Sequence, residues 1–232
     1  MLPAVWIGAG AGAVAASAAY LAPALVKPFA IRALLARAQA QRALVLTYDD
    51  GPGPTTTARL LDVLAEFEAR ATFFVSGSRA AQHGAAVERL VTAGHEVGSH
   101  GFDHLHAWRA APWRVARDVA RGAAEVRRLT GRPAAPFRPP YGKATLASTF
   151  AAARARAPLA WWTHDSGDSF ATLPASLPNR DELLATGGVL LLHDLDRSAP
   201  RNEYVLSVTR DLLAAARSRA LQVQTLGELL GR

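Results

Sequence analysis

Two adjacent carboxylates, Asp49 and Asp50, follow an apolar run at 44–46 in the segment LVLTYDDGPGP. Like charges at this distance repel each other and destabilise a fold unless something compensates them. A metal ion, an arginine or a catalytic task could each supply that compensation. The pair therefore marks the end of this apolar run as a candidate site of chemistry.

Two histidines four residues apart, His100 and His104, lie in the segment GHEVGSHGFDH. On a helical turn this spacing places both imidazoles on one face, which suits a metal ion with nitrogen and oxygen ligands. Two histidines and one carboxylate would leave positions for water and substrate. Gly101 excludes the zinc-protease HExxH motif, because it stands where the Glu would be. His106 could replace one ligand if the segment is a loop.

Three more stretches place polar residues after apolar ones: RPPYG (138–142), WWTHDSGD (161–168) and VLLLHD (189–194). Alone, the first is typical of a proline-rich turn; alternatively, its prolines hold Arg138 and a backbone N–H at defined positions. The other two stretches supply Asp165, Asp168, His193 and Asp194. Core packing does not explain polar residues at the ends of five apolar runs.

From Arg42 onward, short apolar runs alternate with helical patterns. The predicted strands are 43–47, 72–75, 95–98, 136–138, 159–163, 188–192 and 221–224. The predicted helices are 55–69, 79–92, 113–129, 144–156, 179–186 and 203–218. This alternation favours parallel strands with helical crossovers, and about seven units favour a closed or nearly closed barrel. In such a barrel the chemistry lies at the carboxyl ends of the strands, where the polar residues fall.

Composition limits the class of protein. The 232 residues are enough for one sizeable core, and the absence of cysteine excludes disulfides and thiolate metal sites. The net charge of +7 could indicate nucleic acid, a membrane surface or an acidic polymer. The arginines are dispersed and no nucleic-acid module is recognisable, so we expect membrane proximity and no nucleic-acid partner. Nothing indicates an oligomer, and we expect a monomer.

The first 26 residues contain no charged side chain and are long enough to span a bilayer. We interpret 1–26 as a transmembrane anchor or uncleaved signal; a cleavable signal peptide is the alternative, although a basic n-region is missing. Residues 27–41 mix apolar and basic residues, as an interfacial linker or an ordinary helix packing on the domain would. Because the basic residues follow the apolar segment, the positive-inside rule favours a cytoplasmic domain.

The segments TYDDG, SHGFDH, RPPYG, DSGD and LLHD occur in the order and approximate spacing of a known family. Over about 42–232 the sequence resembles the polysaccharide deacetylases of carbohydrate esterase family 4, which share the nodulation-type chitooligosaccharide deacetylase domain. The resemblance implies an α/β fold, a distorted (β/α) barrel of about seven parallel strands after an N-terminal hydrophobic helix. It also implies a divalent metal (Zn²⁺, with Co²⁺ or Ni²⁺ as alternatives) and hydrolysis of N-acetyl groups from amino sugars. An extracytoplasmic catalytic domain is a further implication, opposite to the charge-based orientation.

The resemblance also implies roles for individual residues. The implied metal ligands are Asp50, His100 and His104. Asp49 matches the general base and Arg138 the residue that pairs with it; His193 matches the general acid and Asp168 its partner. These roles are chemically consistent, because an arginine would keep the base ionised and a carboxylate would favour the protonated imidazole. The implied substrate contacts are the Tyr141 backbone N–H, Leu192 as an apolar wall, Pro140 and Trp162.

Two positions depart from the family pattern. Where this chain has Gly101, family members usually carry Ser or Thr. The hydroxyl of that Ser or Thr would form a hydrogen bond that braces the loop. A Trp usually follows the acid-orienting Asp, where this chain has Ser169. Trp161 or Trp162 could supply the missing aromatic contact with sugar.

Three functions follow as hypotheses. The first is a metal-dependent deacetylase of a cell-wall, capsular or chitin-like polysaccharide outside the membrane. The second is a deacylase, removing acetyl or formyl groups, of a lipid-linked amino sugar at the membrane face. The third is an inactive carbohydrate-binding module, which the presence of both Asp49 and His193 disfavours.

Overall fold

The computed structural model describes residues 5–132 and 135–232, and the side chains of 19–132 and 135–232; residues 1–4 of the expected anchor lie outside the described residues. The strands are β1 (Ala43–Asp49), β2 (Thr72–Val75), β3 (Glu96–Ser99), β4 (His164–Asp165), β5 (Gly188–His193) and β6 (Gln222–Val223). The helices are α1 (Val5–Ala40), α2 (Thr56–Glu66), α3 (Gly77–Gln82), α4 (Gly84–Thr92), α5 (Pro112–Thr130), α6 (Leu146–Arg154), α7 (Arg180–Thr186), α8 (Ala199–Ser218) and α9 (Leu226–Leu229). A short 3-10 helix covers Pro140–Gly142.

The strands are parallel and surround a common interior. Their order is β3-β2-β1-β5-β4, and β6 pairs with the first residues of β1. Parallel bridges from Ser99 to Phe137 and from Phe137 to Leu159 connect β3 to the segment that leads into β4. The two edges of the sheet are thereby linked, which confirms the expected distorted barrel.

Two of the expected strands are only single bridges, at Phe137 and Leu159. Prolines at 136, 139, 140 and 158 flank them, and proline has no N–H to donate to a strand ladder. The strand expected at 159–163 pairs with β5 only at His164 and Asp165. The helix expected at 79–92 is divided at His83, whose backbone is not helical.

The side chains of β1 and β5 alternate between two layers, as the period of a strand requires. Leu46 and Leu192 belong to the large cluster between the sheet and the outer helices, whereas Val45 and Val189 belong to a second cluster. At the carboxyl end, Asp49 pairs in register with His193. The expected base and acid therefore start from neighbouring backbone positions.

The second half of α1 packs against the barrel. Leu34 and Ala38 are buried in the cluster that contains Val45 and Trp161. Lys27 Nζ donates to the Gly142 carbonyl over 3.1 Å. This part of α1 is therefore a helix with one side packed on the domain. By length and composition, one described helix could cross a membrane, and its candidate span is Ala19–Ala40.

Candidate active site

A cavity of about 530 Å³ opens at the carboxyl ends of the strands. It brings together seven of the eleven expected site residues: Asp49, Asp50, His100, His104, Tyr141, Trp162 and His193. Another cavity, of about 570 Å³, lies at the opposite end of the barrel and is lined by arginines and two glutamates, without histidine. The convergence of histidines and aspartates identifies the first cavity as the candidate active site.

Asp50, His100 and His104 form a group that could hold a metal ion, because their ligand atoms all lie within 4.8 Å of one another. Asp50 Oδ1 lies 3.0 Å from His104 Nε2 and 3.4 Å from His100 Nε2. Neither approach has hydrogen-bond geometry, and among the described residues this buried oxygen has no hydrogen-bond partner. Two imidazole nitrogens and one carboxylate oxygen suit Zn²⁺ and leave open positions. The donor set therefore fits the expected metal.

The two histidines converge through a loop and not through a helical turn, which corrects the geometric argument from their spacing. Residues 100–106 after β3 contain no helix. Gly101 and His104 both have left-handed backbones, with φ of 79° and 54°. The loop is held by Asp118 of α5, whose Oδ1 accepts the Asp103 backbone N–H over 2.6 Å. This carboxylate braces the loop in a chain without the Ser or Thr hydroxyl.

A hydrogen bond orients the His100 ring. Its Nδ1 lies 2.7 Å from the Arg138 carbonyl oxygen, which can only accept, so Nδ1 carries the proton and Nε2 is free to bind a metal. Burial lowers the pKa of His100, although the charges of Asp49 and Asp50 oppose this. The neutral imidazole is the form that a metal ion requires.

Asp49 forms a buried ion pair with Arg138. The guanidinium is fully buried, and its NH1 lies 2.8 Å from both Asp49 Oδ1 and Thr47 Oγ1. Its NH2 donates to the Trp161 carbonyl over 3.1 Å. A buried charge needs such a partner, and removing either side typically costs about 3–5 kcal/mol. Asp49 is thereby fixed at one oxygen, while Oδ2 lies 3.7 Å from His100 Nε2.

His193 is held by both oxygens of Asp168. The ring Nδ1 lies 2.7 Å from Asp168 Oδ1, and the His193 backbone N–H donates to Oδ2 over 2.8 Å. Burial alone lowers the pKa of His193, but the hydrogen bond and charge of Asp168, with the charges of Asp49 and Asp50, outweigh it and raise the pKa to about 9. The imidazole is therefore protonated near neutral pH, as a general acid must be.

The loop that carries Asp168 is tied to α8. The Arg201 guanidinium donates to the carbonyl oxygen of Asp168, to that of Phe170 over 2.7 Å and to that of Ala171 over 3.2 Å. The Tyr204 hydroxyl donates to the Ser166 carbonyl over 2.7 Å. Sequence reasoning missed Arg201, because nothing in its local pattern distinguishes it from other helical arginines.

The apolar wall of the cavity is Leu191, which corrects the expectation for Leu192. Leu192 is fully buried in the outer cluster, because successive residues of a strand point to opposite faces. Pro140 is also buried and does not line the cavity; its ring lies close to Gly101.

Tyr141 lies at the mouth of the cavity, with 58% of its surface exposed. Its ring packs on those of His104 and His106, at centroid distances of 4.7 and 4.8 Å. His106 does not belong to the metal-ligand group, and its Nδ1 accepts the Trp108 backbone N–H over 3.2 Å. Trp162 lines the cavity with Tyr141.

Two more charged residues lie at the site. Arg197 lines the cavity, 3.4 Å from Asp50 Oδ2, and sequence reasoning did not identify it. Asp194 is fully buried behind the site, where its Oδ2 accepts the Thr57 hydroxyl over 2.6 Å. Burial raises the pKa of Asp194 to about 7, and the charges of Asp50 and Asp49 add to this, although the Thr57 hydrogen bond opposes it.

A family model described as polysaccharide deacetylase matches residues 36–159, just over half of the chain. The chain belongs to the polysaccharide deacetylase family. This membership confirms the resemblance drawn from the five motifs. The match begins inside α1, so the family domain includes part of the helix that packs on the barrel.

Relatives in the family include bacterial peptidoglycan deacetylases. The chain is 30% identical to a peptidoglycan-N-acetylglucosamine deacetylase of Bacillus cereus over 82% of this chain and 89% of that protein. It is 29% identical to one of Listeria monocytogenes, over 84% of this chain but only 40% of that longer protein. A crystal structure of a peptidoglycan N-acetylglucosamine deacetylase shares the fold, with a TM-score of 0.72, 22% identity, and coverage of 82% of this chain and 88% of that one.

Proposed function

We propose that this family member is a metal-dependent hydrolase that removes the N-acetyl group from N-acetylglucosamine-type residues of a polysaccharide. The observation that carries the proposal is the placement of Asp49 and His193, paired in register, beside the Asp50–His100–His104 group. A base, an acid and a metal-ligand group at one cavity are what amide hydrolysis requires. The substrates named for the relatives support the same choice of sugar.

Asp50, His100 and His104 would hold the divalent ion, for which we predict Zn²⁺, with Co²⁺ or Ni²⁺ as alternatives. Burial raises the pKa of Asp50, but His104, His100 and His193 lower it more, so the carboxylate is ionised as a ligand must be. When bound, such an ion polarises the amide carbonyl and lowers the pKa of water.

Asp49 takes a proton from the attacking water at Oδ2. Its Oδ1 is occupied by the Arg138 hydrogen bond, so the other oxygen is the one available to the cavity. Because Arg138 is itself held by Thr47 and by the Trp161 carbonyl, the carboxylate cannot rotate freely. A base held in this way contributes typically 10²–10⁴-fold to the rate.

His193 donates the proton from Nε2 to the departing nitrogen, while Asp168 holds the proton on Nδ1. The products are acetate and the free amine, and the two proton transfers balance. Leu191 provides an apolar surface for the acetyl methyl group, and Tyr141 and Trp162 provide aromatic surfaces for the sugar. We propose the Tyr141 backbone N–H as a donor to the carbonyl oxygen.

The test uses the full chain in detergent, stripped of metal with a chelator and then supplied with Zn²⁺ or Co²⁺. Acetate release is measured from N-acetylglucosamine oligomers. We expect metal-restored release, and a loss of at least about 100-fold in Asp49→Asn with metal affinity retained. Asp62→Asn, the same change at an exposed position of α2, is the matched control and should have no effect. Tight metal binding without any release would overturn the proposal.

A further inference from the structure

The direction of α1 determines on which side of the barrel the N-terminal segment lies. It is the side on which the catalytic cavity opens, which we call the mouth. The helix ends at Ala40 and β1 begins at Ala43, so its last turn lies at the amino ends of the strands. Thirteen residues earlier, Lys27 donates to the carbonyl of Gly142, a residue that lines the catalytic cavity. The helix is therefore antiparallel to β1, and its residues before 27 extend beyond the barrel on the side of the mouth.

The extending part of α1 is apolar and long enough to cross a bilayer. Residues 5–26 contain no charged residue and, at 1.5 Å per residue, span about 33 Å, against about 30 Å for a hydrocarbon core. Where side chains are described, Leu25 and Val26 are 71% and 62% exposed. A contiguous patch of exposed apolar side chains is typical of a surface that binds a membrane or another protein. The first charged residue of the chain, Lys27, is the residue that donates to the Gly142 carbonyl at the cavity.

Further exposed apolar and aromatic residues lie near the mouth, on the face of the barrel that we call the catalytic face. Phe29 on α1 is 69% exposed, and α6, which packs against α1, exposes Leu146 and Phe150. Lys27 lies 4.9 and 5.0 Å from the ring centroids of Trp161 and Trp162. Aromatic and basic residues next to an apolar helix are typical of the interface between a membrane and water.

We propose that the catalytic face lies against the bilayer that residues 5–26 enter, so that the mouth opens at the lipid surface. The mouth surface consists of Leu25, Val26, Phe29, Tyr141, Leu146 and Phe150. The N-acetylglucosamine-type chain that reaches the cavity is then one held at the membrane by a lipid. The contact with lipid is independent of the proposed function, whereas this choice of substrate rests on it.

The chain has no cysteine, so single cysteines can report the position of each face without further changes. Leu146→Cys and Trp113→Cys place a fluorescent label at the carboxyl ends of the strands, where α6 and α5 begin, and Ser218→Cys places it at the opposite end. The ends of the seven-residue β1 are on the order of 20 Å apart. The labelled full chain is reconstituted into phosphatidylcholine–phosphatidylglycerol vesicles that contain a nitroxide-headgroup lipid.

We expect the two mouth-side labels to be quenched several-fold more than the label at Ser218. Equal quenching, or stronger quenching at Ser218, would overturn the orientation. In the same vesicles, unmodified chain should release acetate from an alkyl N-acetylglucosaminide in the bilayer at least tenfold faster than from a soluble oligomer. Release from the soluble oligomer with unquenched mouth labels would refute this inference alone. Quenching with no release from either substrate would refute the proposed function, and with it the choice of substrate, but not the contact with lipid.

Discussion

Replacing Gly101 by alanine should destabilise the loop that carries the metal-binding histidines. Gly101 has a φ of 79°, a conformation that costs an L-residue about 1–2 kcal/mol. A Cβ atom there would lie 2.4 Å from Asp118 Oδ2, far inside an ordinary contact. Asp118 would have to move, and its 2.6 Å hydrogen bond from the Asp103 N–H would be lost, at about 1.5–3 kcal/mol. We expect a total of about 3–4 kcal/mol, with weaker metal binding.

Gly94 offers a matched control, because its φ of 81° is almost the same but the nearest atom to an added Cβ is a flexible Arg70 carbon at 3.5 Å. Gly94→Ala should therefore cost only the backbone term, about 1–2 kcal/mol. The measurement is the free energy of unfolding of the full chain in detergent from urea titrations with a constant slope.

A double mutant separates the overlap from the backbone strain. In an Asp118→Ala background the carboxylate is absent, so Gly101→Ala should cost no more than Gly94→Ala, and the cycle should show a coupling of about 2 kcal/mol. The reasoning is refuted if Gly101→Ala costs the same as Gly94→Ala in the unmodified chain, or if the coupling is close to zero. Gly101→Ser, the residue type usual in the family, should destabilise the chain in the same way.

Three further predictions concern the acid and the buried charges. Acetate release should fall as the pH rises through about 9, because His193 then loses its proton. Asp168→Asn should move this fall to lower pH, because the carboxylate that raises the pKa of His193 is removed. The same pH profile in Asp168→Asn and the unmodified chain would exclude His193 as the acid. Arg201→Gln should lower kcat about tenfold or more and shift the pH at which acetate release falls, because the Asp168 loop loses its anchor. Arg210→Gln, on the exposed face of α8, is the control and should change neither kcat nor this pH. The pKa of Asp194 is raised from 3.8 to about 7, so its contribution to stability is complete below pH 4 and is lost as the pH rises to 7. Urea unfolding of the metal-free chain should show this decline, by up to about 4 kcal/mol, and Asp194→Asn should reduce it.

The sequence by itself determined the class of fold and most of the chemistry. Alternating apolar runs and helical patterns predicted a parallel barrel, and polar residues at the ends of those runs predicted the site, because the carboxyl ends of parallel strands meet at one edge. Asp50 and His100 follow β1 and β3 directly, so this rule brings them together. The choice of Asp50, His100 and His104 as the ligand set came from the resemblance to the family.

Only the tertiary structure decided how individual side chains point and which distant residues support them. Leu191 and not Leu192 lines the cavity, because a change of one residue along a strand reverses its face. The histidines converge through left-handed backbone angles, which a helical spacing argument does not contain. Arg201 binds the Asp168 loop from more than thirty residues away in the sequence. Leu34 holds α1 against the barrel by packing into the cluster that contains Val45 and Trp161. Such contacts form between segments distant in sequence, so local periodicity carries no information about them.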